Sequence, residues 1–329
     1  MLRGRTLTES LDMSESLLAT GRSILVAPHH FPDLDREHAL AAKHGVPIVA
    51  ARDAAHFREE LPNAAVVMVT PYVKLPAADI ALIRRPAAIV RYGVGYENID
   101  TVAARDAGIP VSIVPDASSD EVASHAFAMG IALARRLPTG DSAIRGGGWA
   151  GTIAYDAPPF AQLRVGVVGF GRIGRHVARL YQSIGAQVRA YDPFIDVDPE
   201  IAIDLEGALT QSDVVSLHVP LTDDTRHMIS AGVLDRMSDT AVVVNVSRGG
   251  LIDEDALAAA LAAGRIAGAA LDTVTTEPLP ADSPLRSAPN LILTPHIAWR
   301  STVSVGALQD GAVRRAELAL TGQELIDLV

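Results

Sequence analysis

The sequence predicts an α/β protein of two doubly wound parallel sheets, and two observations lead to this prediction. Short β-branched runs alternate with helical patterns along most of the chain, an order typical of parallel strands covered by helices. The runs also fall into a group of five and a group of six, separated by one long helical pattern. A length of 329 residues agrees with two domains.

The candidate strands follow one another in chain order. The first group consists of Ser23–Ala27, Pro47–Ala50, Ala65–Val69, Ala87–Arg91 and Val111–Ile113. The second group consists of Arg164–Val168, Gln187–Tyr191, Asp213–Leu217, Ala241–Val246, Ile266–Leu271 and Leu291–Thr294. Most of these runs are nearly continuous in apolar residues, as expected for strands that are buried on both faces of a sheet.

Three further segments define the domain organisation. Asp120–Leu137 has apolar residues at helical spacing and predicts a long helix between the two groups. The Gly- and Pro-containing segment Gly146–Phe160 predicts a long loop. Val305–Leu320 predicts a closing helix that packs back on the first group. The expected organisation is a frayed polar extension over residues 1–22, a first domain over 23–118 and 300–329, and a second domain inserted over 119–299.

The composition excludes several classes of function. A formal net charge of −11 with scattered basic residues argues against a nucleic-acid partner. The absence of cysteine excludes disulfides, thiolate metal sites and cysteine nucleophiles, and it agrees with a reducing cytoplasm. We expect no membrane span or secretory signal, because no sufficiently long apolar run is present. The histidines show no metal-like grouping, so we expect no metal.

Residues 169–174 form a G-x-G-x-x-G motif between a predicted strand and a predicted helix. Gly169 would permit the tight turn, Gly171 would let the backbone approach a pyrophosphate, and Gly174 would let the helix pack on the strand. The helix N-terminus would attract the phosphates. Asp192 ends the next strand, where an acid is expected to bind the adenosine ribose hydroxyls and to favour NAD over NADP. The alternative for Asp192 is a turn residue before Pro193.

Three candidate catalytic residues follow predicted strands, at the sheet edge where ligands bind in open α/β folds. Arg248 could clamp a substrate carboxylate and polarise the neighbouring carbonyl. His296 could exchange the hydroxyl proton near neutral pH, and Glu277 beside it would favour the imidazolium. Each has a structural alternative, since Arg248 could be a loop residue, His296 a structural histidine, and Glu277 belongs to a common Glu-Pro-Leu sequence. Asp253 is most simply an N-cap for the next helix.

The chain resembles the D-isomer-specific 2-hydroxyacid dehydrogenases over nearly everything after residue 22, and is most similar to the phosphoglycerate dehydrogenase and C-terminal binding protein branches. The matching segments are residues 91–100 (RYGVGYENID), 120–126 (DEVASHA), 169–174 (GFGRIG), 217–222 (LHVPLT), 245–250 (NVSRGG), 268–272 (GAALD), 277–279 (EPL) and 294–296 (TPH). The resemblance implies a flavodoxin-like substrate domain with an inserted NAD-binding Rossmann domain, an active cleft between the two domains, and a homodimer formed with help from the linking helix.

The resemblance also implies residue roles. Arg248, Glu277 and His296 would be catalytic. The cofactor-binding residues would be Gly169, Gly171, Arg172, Ile173, Gly174, Asp192, His218, Val219, Pro220, Thr225, Val246, Ser247, Arg248, Asp272, His296 and Ala298. The substrate-binding residues would be Gly93, Val94, Gly95, Arg248, His296 and Trp299. The implied activity is reversible hydride transfer between NADH and a small 2-oxo acid, with His296 as the acid–base.

Two features depart from the family pattern. The entry to the glycine-motif strand is shortened at Leu163-Arg164, and Trp299 occupies a position where many members have glycine. Trp299 could be a wall of the substrate pocket or a packing residue. Two alternatives to this enzyme stay open: an NAD(H)-sensing corepressor-like scaffold related to the C-terminal binding proteins, and a relative of alanine dehydrogenase. The ordered Arg248, Glu277 and His296 segments argue against the latter. The sequence does not identify the 2-hydroxy acid.

Overall fold

A computed structural model describes residues 17–150 and 157–329, and these residues form two compact units. Unit 1 contains the described residues up to Ser118 together with Ser301–Val329, and unit 2 contains those within Ser119–Arg300. Within the described ranges, no helix is both long enough and apolar enough to span a membrane. The predicted loop Gly146–Phe160 lies partly outside the described residues, which resume at residue 157.

Unit 1 contains a parallel sheet with the strand order β2-β1-β3-β4-β5. Its strands are β1 (Ser23–Val26), β2 (Ile48–Ala50), β3 (Ala64–Val69), β4 (Ala88–Arg91) and β5 (Val111–Ile113). The helices between them are α1 (Asp35–His44), α2 (Ala54–Glu60), α3 (Ala77–Ile80) and α4 (Thr101–Asp106). The order is that of flavodoxin-like sheets, whose ligands bind at the carboxyl ends of the strands where the order reverses.

Unit 2 contains a parallel sheet with the order β11-β10-β9-β8-β6-β7. Its strands are β6 (Arg164–Val168), β7 (Gln187–Tyr191), β8 (Val214–Leu217), β9 (Val242–Asn245), β10 (Gly268–Leu271) and β11 (Leu291–Leu293). Its helices are α5 (Ser119–Ala134), α6 (Leu137–Arg145), α7 (Arg172–Ser183), α8 (Leu205–Thr210), α9 (Ala231–Leu234) and α10 (Glu254–Ala262). All predicted strands of both groups are confirmed to within two residues.

A single parallel bridge between Ala190 and Ala202 continues the sheet of unit 2 beyond β7. The amide of Ala190 donates to Ile201 at 2.8 Å, and the amide of Ile203 donates back to Ala190 at 3.1 Å. Counted as a short strand, this segment gives unit 2 the order of dinucleotide-binding Rossmann folds, with the reversal between β6 and β8.

The sheet of unit 2 is covered on both faces. Val165 and Val167 of β6 belong to one cluster of buried residues, whereas Val168 belongs to another. In the same way Val242 and Val244 of β9 lie in the first cluster and Val243 lies in the second. Successive side chains of a strand point to opposite faces, so nearly continuous apolar runs are the pattern that fits a sheet between two helical layers.

The linking helix is shorter than predicted. Helix α5 ends at Ala134 rather than at Leu137, and α6 begins at Leu137 after Arg136 adopts a left-handed conformation with φ 52°. Pro138 explains the break, because a proline there has no N–H to donate to Ala134 and its ring would clash with that carbonyl.

Helix α11 (Ser304–Leu320) belongs to unit 1, where Lys43 and His44 of α1 pair with its Glu317 at 2.8 and 2.7 Å. The expected polar extension lies outside the described residues up to residue 16. From residue 17 onward the prediction of a frayed segment is wrong, because Leu17–Thr20 form a 3₁₀ turn and Leu17 is buried.

Candidate active site

The glycine motif forms the turn between β6 and α7. Gly169 has φ +93°, and a Cβ there would overlap the backbone of His218. A Cβ on Gly174 would overlap the carbonyl oxygen of Gly169, so both positions require glycine for internal packing. A Cβ on Gly171 would meet no atom within 4 Å, which leaves open space on that side of the turn.

Gly171 is the N-cap of α7 and supplies no side-chain cap. The first turn of the helix, which contains Arg172, Ile173 and Gly174, therefore presents backbone amides and the positive end of the helix dipole at the open side. This arrangement fits the pyrophosphate of a dinucleotide, which binds at such helix N-termini.

Asp192 follows β7 and connects three backbone amides. Its Oδ2 accepts a hydrogen bond from Phe170 at 2.7 Å, and its Oδ1 accepts from Phe194 and Ile195 at 2.9 and 3.1 Å. The carboxylate thus fixes the glycine turn against the end of β7, in agreement with the turn interpretation of this residue. A carboxylate has about four acceptor sites, so capacity for a ribose hydroxyl remains. Phe194 beside it is 93% exposed.

The segment after β8 contains four of the predicted cofactor-binding residues, His218, Val219, Pro220 and Thr225. Nε2 of His218 forms a hydrogen bond with Ser216 Oγ at 2.8 Å, and burial of the imidazole lowers the pKa of His218 to about 3. The imidazole of His218 is therefore neutral at physiological pH and has a structural role, while the backbone of His218 packs against Gly169 of the glycine turn. Val219 is buried, Pro220 is exposed, and Thr225 Oγ1 donates to the carbonyl of Pro220 at 2.7 Å, which closes the turn.

Arg248 lies in a turn after β9 that is held by Asn245. The side-chain Nδ2 of Asn245 donates to the carbonyl of Arg248 at 2.8 Å, and its Oδ1 accepts from the backbone N–H of Ser247 at 3.0 Å. Ser247 Oγ also donates to the carbonyl of Leu217 on the neighbouring strand, at 2.9 Å. One guanidinium nitrogen of Arg248 donates to the carbonyl of Ser247 at 2.7 Å. Val246, before this turn, is buried.

The next glycine brings two candidate segments together. A Cβ on Gly249 would overlap the backbone of Val274 and Thr275, so the turn that carries Arg248 packs directly on the loop that leads to Glu277. The positive charge of Arg248 accordingly acts on the Glu277 carboxyl. Arg248 and Glu277 are therefore neighbours although 29 positions separate them in the sequence.

Glu277 and His296 form the central pair of the site. Glu277 Oε2 lies 2.8 Å from His296 Nδ1, and both side chains are about two-fifths exposed. Desolvation alone would raise the pKa of Glu277, but the hydrogen bond and charge of His296, with smaller effects from the Val274 amide and Arg248, leave that pKa below its ordinary value. The carboxylate is thus ionised at neutral pH, and Nε2 of His296 is the ring nitrogen available for a substrate.

Asp272 anchors the loop that carries His296. Its Oδ1 accepts from Thr294 Oγ1 at 2.5 Å and from the Ile297 amide at 2.9 Å, and its Oδ2 accepts from the Ala298 amide at 2.9 Å. The carboxylate is 1% exposed, and His125 of α5 lies 3.8 Å from it. The resemblance implies that Asp272 binds the cofactor, and the structure shows that it also anchors the loop of His296.

The predicted substrate loop Gly93-Val94-Gly95 belongs to unit 1, after β4. Gly93 has φ +111°, and a Cβ there would lie 2.9 Å from a guanidinium nitrogen of Arg91. Its carbonyl accepts from the Val114 amide at 3.1 Å, and Val94 is 48% exposed. The loop therefore lies at the carboxyl edge of the unit 1 sheet.

Within unit 2 the structure brings the predicted residues into two groups. Asp192 is bonded to the glycine turn, and Glu277 lies beside His296 and Arg248. Sequence reasoning assigned no role to Asn245, Thr294 or His125, although all three belong to segments that match the family. The available signal for Asn245 was an asparagine within the apolar run Ala241–Val246. In the described parts of the chain, no cluster of three or more acidic or histidine side chains has an arrangement that could hold a metal ion.

Comparison with known proteins identifies a family for this chain. The family model for the NAD-binding domain of D-isomer-specific 2-hydroxyacid dehydrogenases matches residues 127–298. Glycerate dehydrogenase of Methylorubrum extorquens is 35% identical over 275 residues, covering 80% of this chain and 85% of the relative. D-3-phosphoglycerate dehydrogenase of Archaeoglobus fulgidus is 36% identical over 244 residues, and the match covers 73% of this chain and 46% of the relative.

Among solved structures, a glyoxylate reductase from Paecilomyes thermophila is similar with a TM-score of 0.83 and 27% identity, over 94% of this chain and 98% of that one. The chain spans about half the length of the phosphoglycerate dehydrogenase it matches, and most of the length of the other two proteins. Since the family model covers more than half of the residues and contains the glycine turn, Arg248, Glu277 and His296, the chain belongs to the D-isomer-specific 2-hydroxyacid dehydrogenase family.

Proposed function

We propose that this chain is an NAD-dependent dehydrogenase that interconverts a small 2-oxo acid and its D-2-hydroxy acid. The observation that carries the proposal is the His296–Glu277 pair at 2.8 Å, with Arg248 close enough for its charge to lower the pKa of Glu277. These three side chains follow β9, β10 and β11, in the unit that contains the glycine turn.

The proton chemistry follows from the orientation of the pair. Glu277 holds Nδ1 of His296, which leaves Nε2 to donate a proton to the carbonyl oxygen of the substrate during reduction and to accept it during oxidation. The ionised carboxylate stabilises the imidazolium that precedes proton donation. Bound NADH supplies the hydride, so 2-oxo acid, NADH and one proton give 2-hydroxy acid and NAD⁺.

Arg248 is proposed to bind the substrate carboxylate and to polarise the adjacent carbonyl, because a guanidinium offers donors in a planar fork that matches a carboxylate. The amides of Gly93-Val94-Gly95 are proposed as further donors to the carboxylate. The glycine turn is proposed to bind the pyrophosphate of NAD, with Asp192 at the ribose and Val219, Pro220 and Thr225 at the adenine side.

We propose small substrates such as glyoxylate and hydroxypyruvate as the first candidates, because similar proteins are named glyoxylate reductase and glycerate dehydrogenase. We also propose a homodimer that works in a reducing cytoplasm without a nucleic-acid partner, for which the cysteine-free composition and the net charge of −11 are the support.

The test is NADH oxidation against a panel of 2-oxo acids that runs from glyoxylate to phosphohydroxypyruvate and aromatic members. His296→Ala should lower kcat by about two to four orders of magnitude, the usual contribution of a positioned acid–base, while NADH still binds, as followed by fluorescence.

Two outcomes would contradict the proposal. Unchanged turnover in His296→Ala would remove His296 from the chemistry. NADH binding without turnover of any 2-oxo acid by the wild-type chain would instead favour a nucleotide-sensing scaffold, which NADH-dependent peptide capture would then test.

A further inference from the structure

The backbone of His296 has an unusual conformation for its residue type. Its φ is +54°, in the left-handed region that residues with a Cβ adopt only at an energetic cost. Such a conformation persists only where surrounding contacts define it more strongly than local sterics oppose it. The contacts of this residue therefore identify which groups determine the orientation of its imidazole.

Contacts fix both backbone polar groups of His296. Its N–H donates to the carbonyl of Asp272 at 2.8 Å. Its carbonyl oxygen accepts a hydrogen bond from the indole Nε1–H of Trp299 at 3.1 Å. The next two amides, of Ile297 and Ala298, donate to the Asp272 carboxylate at 2.9 Å each.

Trp299 is itself held in place. It is partly buried, and its ring packs against the cluster of unit 2 that contains Val165 and Val167. An indole has a single N–H, which is a donor only, and here it bonds to His296 within the same short loop. The ring is thus anchored in the core on one side and bonded to the loop on the other.

We propose that Trp299 is a positioning residue, whose indole N–H holds the carbonyl of His296 and thereby keeps the imidazole aligned with Glu277. This inference rests on the proposed function of His296 as the acid–base. It differs from a role as a pocket wall, because a wall requires the shape of the ring, whereas the positioning role requires the N–H.

The two roles can be separated by an isosteric change. The sequence contains two tryptophans, Trp149 and Trp299. In a Trp149→Phe background, Trp299 is the single tryptophan, so growth on 3-benzothienylalanine replaces its N–H by sulfur and preserves the bicyclic ring. Trp299→Phe is the encoded counterpart, and Trp149→Phe alone is the matched control, since Trp149 is 74% exposed.

We expect the benzothienyl protein and Trp299→Phe to lose about tenfold to a hundredfold in kcat, the effect typical of a small misplacement of a catalytic group. The KM for the 2-oxo acid and the Kd for NADH should stay within about twofold of the Trp149→Phe control. A benzothienyl protein with unchanged kcat, or one whose main change is a higher KM, would overturn the proposal in favour of the pocket wall.

A measurement without turnover separates this proposal from that of the enzyme itself. In the ¹H–¹⁵N spectrum, Trp149→Phe assigns the two indole signals, and hydrogen exchange of the Trp299 signal should be at least about tenfold slower in the native protein than in the urea-unfolded chain. Equal exchange rates would overturn the proposed hydrogen bond even in an active enzyme. Slow exchange in a protein that reduces no 2-oxo acid would support the hydrogen bond and contradict the proposed function.

Discussion

At the scale of single residues, Asp192 shows how one carboxylate can serve both the fold and a ligand. Its three backbone hydrogen bonds hold the glycine turn against β7, and the same negative charge would repel the 2′-phosphate of NADP. The sequence offered these as alternatives, a turn residue or a ribose ligand. The geometry establishes the first and leaves capacity for the second, because only part of the acceptor capacity is used.

Replacing Asp192 by asparagine should distinguish the effect of its negative charge from the effect of its hydrogen bonds to the turn. Asp192→Asn keeps one acceptor oxygen and removes the negative charge, so we expect NADH affinity to fall by about tenfold and the ratio of NADPH to NADH affinity to rise by about tenfold. Fluorescence titration with both cofactors measures the ratio. An unchanged ratio would contradict the assignment of Asp192 to the ribose, and thermal unfolding checks that the turn survives.

At the scale of elements, the turn from β6 to α7 contains glycines with different physical requirements. Gly174 packs against Gly169, whereas Gly171 faces open space at the N-terminus of the helix. The family resemblance lists both glycines as cofactor-binding. Only Gly171, however, faces space that no protein atom fills and that a ligand could occupy. Alanine substitutions at the two positions should therefore have different consequences.

We expect Gly171→Ala to cost at most about 1 kcal/mol of stability, the cost of a less favourable N-cap, and yet to weaken NADH binding by about tenfold or more because its methyl group would occupy the space for the pyrophosphate. Gly174→Ala should destabilise the protein by about 1–3 kcal/mol, since its Cβ overlaps a backbone carbonyl.

Paired thermal-unfolding and NADH-titration measurements distinguish the two variants. If Gly171→Ala bound NADH as tightly as the wild type, the open side of the turn would not be the pyrophosphate site. Gly174→Ala serves as the control, because its main effect should be a lower stability of the protein rather than a blocked pyrophosphate site.

The limits of sequence-based prediction also appear at this scale. The long strands followed from their apolar runs, and the Asp253 cap is confirmed by a 3.1 Å hydrogen bond from the Ala256 amide. The end of α5 was predicted three residues late because the apolar periodicity was followed up to Leu137, whereas Pro138 cannot donate a hydrogen bond to the carbonyl of Ala134. The Ala190–Ala202 bridge could not be predicted, because a one-residue pairing has no periodic pattern.

At the scale of the whole molecule, each unit has its own parallel sheet and its own buried apolar residues, with one cluster described in unit 1 and two in unit 2. The proximity of Arg248, Glu277 and His296 could be expected in outline, since parallel strands end at one edge of a sheet. The bonds that hold them could not, because the Asn245 amide, the Asp272 carboxylate and the Trp299 indole select their partners through three-dimensional packing. Of the residues in a buried polar network of unit 1, Glu37 and Gln309 lie outside the segments that match the family, and only Tyr92 lies within one.

That network joins three distant parts of the chain. Glu37 of α1 is fully buried, and its carboxylate accepts hydrogen bonds from Tyr92 Oη at 2.8 Å and from Gln309 Nε2 of α11 at 3.2 Å. Burial raises the pKa of Glu37 above its ordinary value, against the opposing effects of Tyr92, Gln309 and the charge of Arg36. The folded protein therefore retains a proton at pH values where the unfolded chain has released it.

The stability that this retained proton provides should be present below the ordinary glutamate pKa of about 4.3 and should be lost as the pH rises through the higher pKa of the folded state. Glu37→Gln has no such titration, so its Tm relative to the wild type should increase as the pH rises from about 4 to about 8. Circular dichroism melts across this range measure the difference. Glu59→Gln, an exposed position on α2, controls for the change in net charge. Parallel Tm curves for Glu37→Gln and wild type would show that Glu37 ionises alike in the folded and unfolded states, and the buried network would then contribute packing alone.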